Sequence, residues 1–133
     1  SLDFHAMHDL FADTKTADES FPKPHPGMLI ELSESLMVPI DKVLMIGDTT
    51  HDVLMAKNAG ADVIELLVPE AGELDLQETR KAIADAGLRC VLAARVNLTR
   101  DLASPDEGAR AAGVAYLEQC ADIAATGISG GCA

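Results

Sequence analysis

Ten consecutive residues constrain this chain more than any others: the apolar run Val43-Leu44-Met45-Ile46, followed at once by Gly47-Asp48-Thr49-Thr50-His51-Asp52. An unalternated apolar run of this kind predicts a short strand buried on both faces. Gly47 lets the backbone turn sharply or approach a ligand closely. A helix then follows over about 51–58, with Thr50 as its N-cap and Gly60 as its stop. In open α/β sheets, ligands bind beyond the carboxyl ends of strands, so Asp48 and Asp52 stand where two carboxylates would share a hard cation. Asp52 also falls in the first helical turn, where the helix dipole favours negative charge, so either carboxylate alone would be ordinary. Their spacing behind Gly47 makes the pair a candidate site.

The same alternation of strand and helix runs along the rest of the chain. Residues 2–10 read as a helical piece and 11–16 as a weak first strand, leading into a polar loop at 17–20. Lys23 lies between Pro22 and Pro24, which restricts its backbone, and Pro26 can occupy the first turn of a helix carrying Met28, Leu29, Leu32 and Leu36 until Pro39 ends it. His25 beside it reads as a surface or capping residue. Further strands are expected at 63–68 and 89–96, with a helix between them at 75–86 that stops at Gly87. Ser104-Pro105-Asp106-Glu107 reads as a helix start with Ser104 as cap, and the last helix, 109–125, should bury Val114, Leu117, Ala121 and Ile123 or Ala124. Right-handed crossovers then give a single α/β domain, a three-layer sandwich on a parallel sheet of about four strands, flavodoxin-like or half-barrel-like.

The Lys23 motif, the segment 43–52 and the helix ending Asn58-Ala59-Gly60 resemble the C-terminal half of a haloacid dehalogenase superfamily phosphatase of the phosphoglycolate phosphatase type, over about residues 1–64. The resemblance implies that Lys23 neutralises phosphate charge with Thr49 beside it, and that Asp48 and Asp52 hold magnesium. It also implies an N-terminal Asp-x-Asp motif whose first carboxylate attacks phosphorus. No Asp-x-Asp occurs in this sequence. Asp13 and Asp62 are the only nearby substitutes, and neither has the motif's context.

From Gly60-Ala61-Asp62-Val63-Ile64 onward the text changes. Ala86-Gly87-Leu88-Arg89-Cys90, Ser104-Pro105-Asp106 and Ala111-Ala112-Gly113-Val114 resemble the early units of sugar phosphate isomerase/epimerase-like TIM barrels, of the tagatose 3-epimerase type, over about 60–131. That family's metal-binding glutamates belong to later strands, so Glu65 and Glu70 inherit no catalytic role. The economical interpretation is a chimera, engineered or recombined, that shares the strand near 62–67 and lacks intact catalytic machinery. A magnesium-dependent phosphatase and a homodimeric assembly module are the alternatives.

Composition narrows the partners. A formal net charge of −12 over 133 residues disfavours nucleic acid and anionic membrane, both of which reward clustered Lys and Arg. With three Phe, one Tyr and no Trp, the core must be aliphatic, as parallel sheets commonly are. Cys90, Cys120 and Cys132 make an odd count without metal-ligand spacing, which predicts a reduced, cytoplasmic protein without disulfides. No apolar run approaches a membrane span and no leader pattern opens the chain, so a soluble, non-exported protein is expected.

Overall fold

The computed structural model describes residues 8–68 and 75–125. The expectations for a helix over 2–10, for Glu70 and for the C-terminal tail with Cys132 fall wholly or mostly outside those residues. The described chain forms one α/β unit: α1 (Gly27–Ser35), β1 (Leu44–Gly47), α2 (Thr50–Ala59), β2 (Val63–Val68), α3 (Leu76–Ala86), β3 (Arg89–Ala94) and α4 (Glu107–Ile123). The three strands pair in parallel in the order β1-β2-β3. Met45, Ile64 and Cys90 align across the sheet, and so do Gly47, Leu66 and Leu92.

Each helix begins and ends where its residues can satisfy the free backbone groups. Asp75 caps α3 by accepting from the Gln77 and Glu78 amides at 3.0 and 2.9 Å. Gly60 and Gly87, at φ 84° and 67°, end α2 and α3 in the left-handed conformation that glycine adopts at little cost. The cap of α4 is Asp106, not the expected Ser104; its carboxylate accepts from the Gly108 and Ala109 amides, while the Ser104 hydroxyl accepts from the Asp106 amide. A carboxylate offers two acceptor oxygens with full charge to the positive helix end, and the hydroxyl sits two residues further out.

The core occupies one face of the sheet. Met45, Ile64, Leu66, Val68 and Cys90 pack with Leu29 of α1, Val53, Met55 and Ala56 of α2, Ile83 of α3, and Tyr116 and Ile123 of α4. Ile64, Leu66 and Val53 are fully enclosed, and each such aliphatic side chain contributes roughly 1.5–3 kcal/mol by leaving water. The buried stripe of α4 differs from the expected one. Ala109, Gly113, Tyr116 and Ile123 face inward, whereas Val114 is half exposed and Ala121 is exposed. The cause is close packing at Gly113, where an added Cβ would lie 2.7 Å from the Arg100 carbonyl oxygen; the smallest residue must take the inner position.

Two expectations about the sheet are corrected. Residues 11–16 form no strand: Asp13 Oδ1 accepts from the Thr14 amide, Asp13 Oδ2 from the Ser35 hydroxyl, and Glu19 takes the Thr16 amide and hydroxyl. Those local side-chain bonds compete with a ladder and win. Among the described residues the sheet therefore has three strands, where about four were expected. Its second face, carrying Leu44, Ile46, Val63, Glu65, Leu67, Val91 and Ala93, is covered by no helix among the described residues, so β1 is not buried on both faces and Ile46 is 55% exposed.

Candidate functional site

The carboxyl end of β1 carries the site. At Gly47 an added Cβ would lie 2.4 Å from both Cβ and Cγ of Asp52, so the chain passes over that carboxylate where only glycine fits. Thr49, extended at φ −131°, is the N-cap of α2 and forms a capping box with Asp52. The expected cap, Thr50, is instead the first helical residue. Capping favours Thr49 because its hydroxyl and the Asp52 carboxylate can satisfy each other's backbone amides only at a three-residue spacing.

Asp52 is the centre of the arrangement, at 1% exposure. Its Oδ2 accepts from the Thr49 hydroxyl at 2.6 Å, the Thr49 amide at 3.1 Å and the Asp48 amide at 3.3 Å. Its Oδ1 lies 2.6 Å from Lys23 Nζ and has no other partner among the described residues. Burial pushes the Asp52 carboxyl up, but the Lys23 ammonium, the Thr49 hydroxyl and the Asp48 amide outweigh it and hold the group below its ordinary value. Lys23 reaches this position from a loop fastened just after it. Asn58 Nδ2 of α2 donates to the Pro24 carbonyl, and His25 Nδ1 accepts from the Gly27 amide at the start of α1. His25 is therefore a capping residue, as expected.

The structure brings together all four sequence candidates, Lys23, Asp48, Thr49 and Asp52, along one cleft of about 600 Å³. It also divides their labour. The Asp52 oxygens and the Thr49 hydroxyl are engaged with each other and with Lys23, whereas Asp48 is exposed and offers its carboxylate to the cleft. Lys15 and His51 line the same cleft and were not candidates. His51 sits inside the motif and was legible by position; Lys15 carries no local signal.

Among the described residues, no group of three or more His, Cys, Asp or Glu is placed to hold a metal. A metal cage built wholly from these side chains is thus absent. Magnesium makes a lesser demand, taking one or two carboxylates with waters and ligand phosphate oxygens, and exposed Asp48 beside the cleft meets it. The other carboxylates considered do not converge there. Both oxygens of Asp13 are occupied. Asp62 precedes β2 at the opposite end of the sheet, in a separate cleft with Asp41 and Arg89. Glu65 is half-buried on the uncovered face, and burial raises the Cys90 thiol above its ordinary value.

A parallel βα unit that presents a lysine-paired carboxylate and a free one at a strand's carboxyl end defines a Rossmann- or flavodoxin-like domain with its site at the sheet margin. The chain belongs to the HAD-hydrolase-like family, whose model matches residues 20–86, just over half of it. Among curated proteins it is similar to phosphoglycolate phosphatases. That of Psychrobacter arcticus is 36% identical over 67 residues, covering 49% of this chain and 29% of the relative. That of Vibrio vulnificus is 43% identical over 61 residues, covering 44% and 26%. The chain thus spans less than a third of the length of these relatives. No solved structure matches it. No helix among the described residues is long and apolar enough to cross a membrane.

Proposed function

We propose that this chain is a phosphate- and magnesium-binding α/β domain that carries part of a phosphatase site and does not turn over phosphate esters by itself. One observation carries the reading: the Lys23 ammonium is held 2.6 Å from buried Asp52, beside exposed Asp48, in a sequence with no Asp-x-Asp. Transfer through an aspartyl intermediate needs a carboxylate in line with phosphorus, and positioning groups do not replace it. Asp13 and Asp62, the two candidate substitutes, are respectively bonded away and at the far end of the sheet. Asp48 would hold magnesium, which when bound offsets phosphate charge. Asp52 fixes Lys23 and the Gly47-Asp48-Thr49 turn.

The family assignment favours a second reading, a magnesium-dependent phosphatase whose attacking group comes from outside these residues. Hydrolysis of an aryl phosphate, measured with magnesium, with chelator and for Asp48→Asn, separates the two. Our reading expects no hydrolysis above buffer. Turnover that needs both magnesium and Asp48 overturns it.

We also propose that the second half of the chain is barrel-derived and the whole a chimera. Its support is the sequential strand order with the core on one face, an arrangement common to a barrel arc and one wing of a doubly wound sheet. The segment read as barrel-like is about 60–131, and the family match covers its first part, to residue 86. A crystal structure in which β2–α4 follows the twist of a doubly wound sheet and departs from a barrel arc would count against it. Pairing of two copies through the free edge of β1 is the corresponding assembly proposal, favoured by half-exposed Leu44 and Ile46 beside that edge. Light scattering that shows only monomer at high concentration would remove it.

A further inference from the structure

The second face of the sheet is aliphatic except at two positions. Register places Ile46, Glu65 and Val91 in one row across the three strands, and Leu44, Val63 and Arg89 in the row before it. Leu44, Ile46 and Val91 are about half exposed, and Arg89 is exposed beside them. Glu65, on the central strand between Ile46 and Val91, is half-buried. Among the described residues neither the Glu65 nor the Arg89 side chain makes a hydrogen bond or an ion pair, although Arg89 also borders the cleft with Asp41 and Asp62.

These two charges limit what can lie on the face. A wholly apolar cover would bury the Glu65 carboxylate without a partner, which is costly. A second copy of the chain brings its own Arg89, and a two-fold contact sets each residue of a patch against the other copy's equivalent patch, so a patch with both signs can satisfy both. Strands about 4.8 Å apart, rising about 3.3 Å per residue, put the Glu65 and Arg89 Cα atoms about 8 Å apart on a diagonal. A two-fold axis midway between two such sheets, bisecting that diagonal, runs over Val63 and Val91 and crosses the two sets of strands steeply, close to the orthogonal class of sheet packing. Valines then meet valines along the axis, and each Glu65 stands opposite an Arg89. The pair is neutral in a chain of net charge −12, so two copies can approach there without like charges meeting. Deepening the assembly reading above, we infer that two copies associate through this face rather than the β1 edge, with Glu65 of each paired to Arg89 of the other. The contact is small beside a standard interface of about 20–30 residues a side, so association is weak, with a Kd of about 0.1 mM.

The test is sedimentation equilibrium of the whole chain at concentrations spanning that value. Wild-type protein should dimerise, and added salt should weaken the dimer, a check that needs no variant. Glu65→Arg and Arg89→Glu should each weaken it about tenfold or more, since each sets like charges against one another twice per dimer. A variant carrying both changes restores opposite signs and should recover the wild-type constant within about threefold. Thermal melts matching the wild type establish that the variants are folded. Monomer throughout overturns the face contact and the assembly reading together. A dimer indifferent to salt and to both single variants overturns the face contact alone and leaves the β1 edge. Weakening by the single variants without recovery in the combined one overturns the pairing of Glu65 with Arg89.

Discussion

The carboxyl end of β1 and the carboxyl ends of β2 and β3 solve the same problem in different ways. Both must satisfy backbone groups where strands stop and loops begin. At β1 the work is done locally and with charge: Asp52 takes donors from Asp48 and Thr49, four and three residues away, and Lys23 balances it. At β2 and β3 it is done over long range, through one hydroxyl. The Tyr116 hydroxyl of α4 donates to the Val68 carbonyl at 2.8 Å and accepts from the Arg95 amide at 2.7 Å, and the Arg100 guanidinium sits 4.0 Å over its ring. A tyrosine joins two strand ends and a helix into one core, and its hydroxyl is engaged both as donor and as acceptor. The carboxylate network leaves Asp48 and part of Lys23 facing a cleft. Stability and ligand binding should therefore be coupled at the first region and separable at the second.

Glycine substitutions should break this contrast most forcefully. Gly47→Ala drives a Cβ to within 2.4 Å of Asp52, and should cost about 3 kcal/mol in urea unfolding while abolishing phosphate binding in titrations. Gly113→Ala meets the Arg100 carbonyl oxygen at 2.7 Å, and should cost about 2 kcal/mol yet leave phosphate affinity of the folded fraction unchanged. If both behave alike in binding, the two regions are not independent.

Asp52→Asn comes next, at about 2 kcal/mol, because it weakens several hydrogen bonds to a buried group and leaves Lys23 without its counter-ion. The same variant carries a pH signature. A carboxyl held below its unfolded value stabilises the fold above that value, about 3.9, and loses the contribution as pH falls through the lower folded value. Wild-type stability should decline in that acid window, and Asp52→Asn should flatten the decline. A smaller loss, about 1 kcal/mol, is expected for Tyr116→Phe in the same unfolding assay, without change in phosphate titrations.

Much of this organisation was legible before any coordinates. The strands at 43–46, 63–68 and 89–96 and the helices between them are found within a few residues, because continuous apolar runs and helix-stop glycines are local signals. The proximity of Lys23 to Asp52 was legible only through the resemblance to phosphatases, since the long stretch of intervening chain carries no spacing rule. Thr49 was passed over for Thr50 as cap because both are good caps, and only the reciprocal bond with Asp52 separates them. The strand expected at 11–16 failed where Asp13 and Glu19 found closer partners. On α4, Leu117 and Ile123 pack with the core as expected, whereas hydrophobicity pointed to Val114 where the clearance beneath Arg100 admits only Gly113.

By itself, the sequence determined the alternation of strands and helices, the stops at Gly60 and Gly87, and the placing of Asp48 and Asp52 at a strand's carboxyl end, because periodicity, backbone freedom and capping act within a few residues. Tertiary structure decided the rest. It paired Asp52 with Lys23 and Lys15 with Glu31, left Asp48 exposed, and covered one face of the sheet among the described residues. Those outcomes depend on which distant groups come within about 3 Å of one another, where hydrogen bonds and ion pairs act and packing space is exhausted.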